Sequence, residues 1–122
     1  MINKWSQELA NKPTILYENS LRSGQVVDFD GNVVVMGDVN PGAEIVASGH
    51  VLVMGTLRGT VQAGSGGDES ATVTALTFAP TQVRIASHIT RPPEEGGYNL
   101  RAPQTARVKD DGVIVEEYNP PR

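Results

Sequence analysis

The sequence predicts an all-β chain wound as a three-sided parallel β-helix, and two observations predict it. Small or apolar residues recur every six positions, at Gly31, Gly37, Ala43, Gly49, Gly55 and Val61. Each is followed two residues on by an apolar side chain, at Val33, Val39, Ile45, Val51, Leu57 and Ala63. Six-residue spacing means short straight segments that each turn a corner. The second observation sets the number of sides: the run from Gly31 to Gly37, GNVVVMG, returns as GHVLVMG from Gly49 to Gly55. That repeat spans three six-residue segments, so each strand stacks on the one a full turn earlier. Such a coil offers flat walls and two ends, a shape suited to pairing and scaffolding rather than to a deep catalytic cleft.

Taken in order, residues 1–15 form an N-terminal helical segment or linker and residues 16–122 the β-helix domain. Ile2, Trp5 and Leu9 fall at spacings of three and four, one apolar stripe of a short helix that Pro13 ends. It either caps one end of the coil or serves as a linker, since isolated helices this short are marginal. Thr14 to Glu18 reads as extended and Asn19 to Gln25 as a polar bend, with the coil running from near Val26 to about Ala86. Its turns are uneven: Gly42 aligns with Gly59, and Gly64, Gly66 and Gly67 bunch in a loop with Asp68, Glu69 and Ser70. Ala71, Val73 and Ala75, then Val83 and Ile85, make a looser coil in which Pro80, lacking a ladder donor, marks a corner or an edge. Arg91 to Pro103 is a surface loop. Ala106 to Lys109 and Val113 to Glu117 flank Asp110, Asp111 and Gly112, a hairpin turn that places Gly112 at a left-handed bulge position and covers an open coil edge.

Composition excludes several function classes. A chain of 122 residues makes one domain with a thin stacked core. Cysteine is absent, so no disulfide, thiol nucleophile or cysteine metal site exists, which fits a reducing cytosol. No apolar run reaches membrane-spanning length and the N-terminus lacks the order of a secretory signal, so the expected location is cytoplasmic. The net charge is −4 and the basic residues are scattered, which argues against nucleic acid. Aromatic residues are sparse and lie mostly outside the repeats, which argues against a sugar-stacking surface.

Strand parity sets the next expectation. If Val33, Val35, Val51 and Val53 point inward, Val34, Met36, Leu52 and Met54 point outward and build an apolar wall across two coils. Such a wall pairs with a second copy across a two-fold axis, or else the N-terminal helix or the C-terminal hairpin covers it within one molecule. The candidates for chemistry are few. His50 fills the polar position that Asn32 takes one coil earlier, and both it and His88 read as solvated surface histidines without metal-ligand spacing. Asp68 and Glu69 lie in a glycine loop where nothing holds the two carboxylates together as acid and base. Gly64 to Gly67 lacks the lysine and helix of a phosphate cradle. No catalytic residue, metal or cofactor is assigned.

Arg22, Ser23, Gly24 and Gln25 are different in kind. They place a long cation, a hydroxyl, a hinge and a primary amide in succession at the mouth of the first coil. Gly24 permits a positive φ or close backbone approach, Arg22 can grip a carboxylate with two bonds, and Gln25 both donates and accepts. A plain polar turn and a binding site are both consistent with these residues.

With those residues stand Gly37 to Glu44 (GDVNPGAE), Ala47, Gly49, Gly55 to Gly59 (GTLRG), Ala63 and Gly64. Together they resemble the C-terminal domain of MinC, the septum site-determining protein of bacterial division. The resemblance extends from about Leu16 to Tyr118 and includes the ending Ala106 to Lys109 and Ile114 to Glu116. It implies a right-handed β-helix that dimerises through an apolar face, here Val34, Met36, Leu52 and Met54. It also implies binding to MinD, a membrane-attached ATPase, through Arg22, Ser23, Gly24, Gln25 and Glu44, with recruitment to the inner face of the membrane and alternating co-polymers. The implied role is non-enzymatic: helping to position or inhibit assembly of the FtsZ ring. The family's FtsZ-inhibiting N-terminal domain has no counterpart in residues 1–15, and Thr60 stands where many relatives carry a second arginine. Two other readings fit the hexapeptide rhythm. One is an acyltransferase with His50 as general base, which only two clean coils and the missing acyl-donor module oppose. The other is a self-polymerising scaffold of the bactofilin kind, which capped coil ends oppose.

Overall fold

The computed structural model describes residues 12–90 and 97–119. The expected helix carrying Ile2, Trp5 and Leu9 lies outside the described residues. Strands follow in the order β1 (Thr14–Tyr17), β2 (Val26–Phe29), β3 (Asn32–Val35), β4 (Glu44–Ala47), β5 (Val51–Leu57), β6 (Thr60–Ala63), β7 (Val73–Phe78), β8 (Gln82–Ile85), β9 (His88–Thr90), β10 (Gln104–Lys109) and β11 (Gly112–Glu117). Among the described residues there is no helix.

Three sides are present. On the first, β1, β3, β5 and β7 stack in parallel with Ile15, Val33, Val51 and Val73 in register. On the second, β2, β4, β6 and β8 align Val27, Ile45, Val61 and Val83. The third is reduced to single bridges, Leu21 to Val39 to Leu57, continued by the pairing of Leu57 with Phe78. Every apolar residue of the six-residue pattern, Val33, Val39, Ile45, Val51, Leu57 and Ala63, is fully buried. Each coil packs its small β-branched side chains on the coil before, and a buried Val or Leu contributes roughly 1.5–3 kcal/mol. Burying both ladder and side chains in so thin a core demands β-branched and small residues, which explains the Val and Ala content.

The structure differs from the sequence-based expectation in four places. The coil starts at β1 rather than near Val26, because Thr14 to Tyr17 pair with Asn32 to Val35. The polar bend at 19–25 therefore belongs to a complete turn and buries Leu21. Gly42 does not align with Gly59: Glu44 pairs with Thr60 and Ala43 O accepts the Thr60 N–H at 3.0 Å, because Arg58 and Gly59 replace a four-residue corner with a shorter one. The hairpin turn has two residues, not three. Lys109 pairs with Gly112, while Asp110 (φ 52°) and Asp111 (φ 65°) take the left-handed conformations themselves. Two successive left-handed residues match the right-handed twist of the flanking strands, and Asp tolerates that region better than most residues. Finally, the described part of the 91–103 loop is not all surface. The Tyr98 ring packs edge-on against Phe78, with centroids 5.2 Å apart and planes at 82°.

The hairpin finishes the coil as expected. β10 runs antiparallel to β7 and carries β11 on its far side, and β9 folds back on β8. Pro80 sits at the corner between β7 and β8.

Corners interrupt the strand ladders and leave backbone donors that side chains must satisfy. Asn32 Nδ2 donates to Thr14 Oγ1 at 3.1 Å, and Asn32 Oδ1 accepts the His50 N–H at 2.8 Å. The Thr72 N–H then donates to His50 Nδ1 at 3.0 Å. At another corner Ser20 Oγ accepts from the Asp38 N–H at 2.9 Å and Asp38 Oδ1 from the Thr56 N–H at 2.8 Å. These ladders hold the sides rigidly against one another.

Candidate partner-binding corner and apolar wall

Arg22 to Gln25 form a tight turn at the corner between the third and second sides. The Gln25 N–H donates to Arg22 O at 2.9 Å, and Gly24 has φ 88°. One coil below, Asn40 to Ala43 repeat the geometry: the Ala43 N–H donates to Asn40 O at 3.0 Å and Gly42 has φ 87°. Pro41 before a positive-φ glycine is the residue order that a type II turn prefers. The two turns are stacked, since the Gly24 N–H donates to Gly42 O at 3.0 Å. A Cβ on Gly42 would lie 2.4 Å from Ser23 Oγ, whereas one on Gly24 would meet nothing within 4 Å. The upper turn is thus supported from beneath and open outward.

Side chains divide their work at this corner. Gln25 Oε1 accepts the Arg22 N–H at 2.6 Å, so part of the Gln25 amide holds the turn shut and its other end remains available. Arg22, Ser23, Gly24 and Gln25 are all exposed, and Arg22 forms no ion pair among the described residues. Glu44 is exposed at the start of β4, level with Val26, and its N–H donates to Gln25 O at 3.0 Å. All five sequence-predicted residues therefore converge on one corner, with a cation on the upper coil and a carboxylate on the next. Arg58 follows Leu57 on the same column as Arg22, two coils below, which places their backbones about 10 Å apart.

An open hollow of about 490 Å³ adjoins the turn, lined by Tyr17, Asn19, Ser20, Arg22 and Gln25. Tyr17, Asn19 and Ser20 were not among the expected site residues. The signal for them is the eighteen-residue step, which pairs Tyr17 with Val35 and Ser20 with Asp38 once the first coil is counted.

The apolar wall stands on the first side. Val34 and Leu52 are half-buried, while Met36 and Met54 are 49% and 39% exposed. Strand pairing extends the wall beyond the four expected residues, with Leu16 above Val34, 53% exposed, and Leu76 on β7, 43% exposed. Thr74, paired with Leu52, interrupts this apolar surface on β7.

The remaining polar groups do structural work. His50 is half-buried rather than solvated, and its Nδ1 accepts the Thr72 N–H. Burial lowers its pKa, the nearby Lys12 charge lowers it further, and Asp68 partly opposes them. With the His50 Nδ1 committed to a backbone donor, that nitrogen is not free to take a proton, which argues against the acyltransferase reading. Asp68 is also bonded. Its burial would raise the carboxyl pKa, but hydrogen bonds from Lys12 and Ser70 outweigh that and hold it at about 2. The Lys12 ammonium lies 2.7 Å from the Asp68 carboxylate, and Glu69 approaches His88 at 3.5 Å. Among the described residues no three metal-ligating side chains converge, and no helix is long and apolar enough to cross a membrane.

Comparison with known proteins agrees with this geometry. Residues 15–118 match the family described as septum formation inhibitor MinC, C-terminal domain. A probable septum site-determining protein MinC of Heliobacterium modesticaldum is 51% identical over 87% of this chain and 37% of its own length. One of Acetivibrio thermocellus is 49% identical over 100% of this chain and 54% of its own. The chain thus spans about half or less of the length of these relatives. Among solved structures, a chain of the MinC:MinD cell division protein complex of Aquifex aeolicus superposes with a TM-score of 0.80 at 33% identity, covering 89% of each chain. The coil, its stacked corner turns and these matches together show that the chain belongs to the MinC C-terminal domain family.

Proposed function

We propose that this chain is a non-enzymatic division-site regulator domain that docks on the ATPase MinD through the corner formed by Arg22, Ser23, Gly24, Gln25 and Glu44. The observation that carries the reading is the supported, outward-open turn, shared in fold with a protein solved in complex with MinD. A rigid turn loses little conformational freedom on binding, so its few polar contacts are not spent on ordering the chain. Arg22 supplies a planar cation for a partner carboxylate, Gly24 allows close backbone approach, and Glu44 offers the opposite charge one coil away. The domain is cytoplasmic in this reading and reaches the inner face of the membrane only through MinD.

Homodimerisation through Val34, Met36, Leu52 and Met54 completes the proposal. Two corners on one dimer engage two MinD molecules, which yields avidity on a membrane surface and alternating co-polymers. Held there, the domain helps to position or inhibit septum assembly, with FtsZ polymers as a further partner. The test is sedimentation with lipid vesicles. The chain pellets only when MinD and ATP are both present, and Arg22→Ala abolishes pelleting without altering stability. Pelleting unchanged by Arg22→Ala would refute the corner as the docking site.

A further inference from the structure

The hollow of about 490 Å³ beside the corner turn is lined by Tyr17, Asn19, Ser20, Arg22 and Gln25, so it runs back along the third side of the first coil to the end of β1. Tyr17 forms part of its wall because the stack begins there. Val35, one coil below, is fully buried, whereas Tyr17 is half-buried, since among the described residues β1 has a strand partner on one side only. Asn19 and Ser20 follow it as exposed residues.

Hydrogen-bond commitments set the character of this lining. Gln25 Oε1 accepts the Arg22 N–H, which leaves the amide nitrogen as the uncommitted end of that side chain. Ser20 Oγ accepts the Asp38 N–H, which leaves its hydroxyl proton to donate. The Arg22 guanidinium has donors only, the Tyr17 hydroxyl and the Asn19 amide add more, and Arg22 is the one charged residue of the five. Two carboxylates stand nearby without lining the hollow: Glu18, and Asp38, whose Oδ1 accepts the Thr56 N–H on the next coil. Donors gathered around one cation, with no anion among them, are complementary to a negatively charged acceptor.

Taking the corner as the MinD docking surface, on which this rests, we infer that the hollow seats a carboxylate side chain of that partner, with Tyr17, Asn19 and Ser20 as binding residues beside Arg22 and Gln25. The partner therefore lies over the third side of the first coil as well as over the turn. The carboxylate accepts from the guanidinium and from the neutral donors around it. An apolar or cationic side chain entering the same space would leave those donors unpaired, so the hollow discriminates as well as binds. Ser20 and Gln25 are already held by their bonds to the backbone, so little ordering of the chain is required when the hollow fills.

Binding of the full chain to MinD with ATP, measured at low and at high salt, is the test. Asn19→Asp turns an exposed amide into a carboxylate of the same shape. It is expected to weaken binding at least about tenfold at low salt, with the deficit shrinking as added salt screens the repulsion. Tyr17→Phe removes one hydroxyl while keeping the packed ring, and is expected to weaken binding about three- to tenfold at either salt concentration. Ser65→Asp adds the same charge as Asn19→Asp at an exposed position in the glycine loop, on another corner of the coil, and binds within about twofold of the parent. Parent-like binding by both Y17F and N19D, alongside loss of binding by Arg22→Ala, would overturn the hollow and leave the corner standing. An N19D deficit that salt does not reduce, or one that S65D equals, would overturn the hollow as well. Parent-like binding by R22A would overturn the corner and the hollow together.

Discussion

Gly24 and Gly42 have nearly the same backbone conformation and opposite surroundings, so alanine at each separates backbone strain from packing. A Cβ in the left-handed region costs roughly 1–2 kcal/mol. Gly24→Ala incurs that cost alone, because nothing lies within 4 Å of the new atom. For a domain of this size it lowers Tm by roughly 4–8 °C, at about 4 °C per kcal/mol. Gly42→Ala incurs the same strain and also sets a methyl 2.4 Å from Ser23 Oγ and 3.3 Å from Ser23 Cα, which adds about 1–3 kcal/mol of overpacking. Urea unfolding at fixed protein concentration reads both, and Gly42→Ala is expected to be the less stable variant. Gly24→Asn completes the set: Asn tolerates positive φ, so stability falls less than with alanine, while its side chain projects into the space that the partner requires. MinD binding by Gly24→Asn is expected to weaken at least about tenfold, a loss of about 1.4 kcal/mol. Equal stability of the two alanine variants would refute the stacked-turn geometry, and undiminished binding by Gly24→Asn would refute close approach at the corner.

Burial, and after it the nearby Lys12 charge, disfavour the protonated ring of His50, so its folded pKa lies below the unfolded 6.5. Stability is therefore full above that value and declines as pH falls through it toward the folded pKa; in urea titrations His50→Asn should flatten this slope. Gly49→Ala places a methyl 2.1 Å from Asn32 Oδ1 and breaks its bond to the His50 N–H. A loss of about 2–4 kcal/mol follows, and a Tm equal to the parent's would show that the corner ladder can yield. Leu52→Glu puts an unpaired charge on the wall at a cost of about 3–5 kcal/mol when buried; analytical ultracentrifugation should show monomers, and a persistent dimer would place the interface elsewhere.

Much of the fold is legible because each coil repeats one local rule. Val33, Val39, Ile45, Val51, Leu57 and Ala63 are buried for the same reason that they recur, and strict alternation sends Val34, Met36, Leu52 and Met54 outward. The corner is legible because Gly24 and Gly42 stand where a turn needs positive φ. The first coil was harder to see: Thr14 to Tyr17 contain no glycine to mark the repeat, and Leu21 sits alone among polar residues. His50 misleads for a different reason. Its position in the strand pattern is polar, but whether a polar side chain meets water or a backbone donor depends on what the next coil puts beside it. Here that is Thr72, twenty-two residues on.

Sequence alone determined the winding, the inward columns and the alternation that makes an apolar wall, since these follow from chain-local periodicity. Only the tertiary structure decided the register across the uneven corners, the support of Gly24 by Gly42, the gathering of Tyr17, Asn19 and Ser20 beside Arg22, and the closure of one end but not the other among the described residues. Those features arise between residues distant along the chain. Backbone hydrogen bonds between coils, rather than any preference of a single residue, choose which of several nearly equal alignments is built.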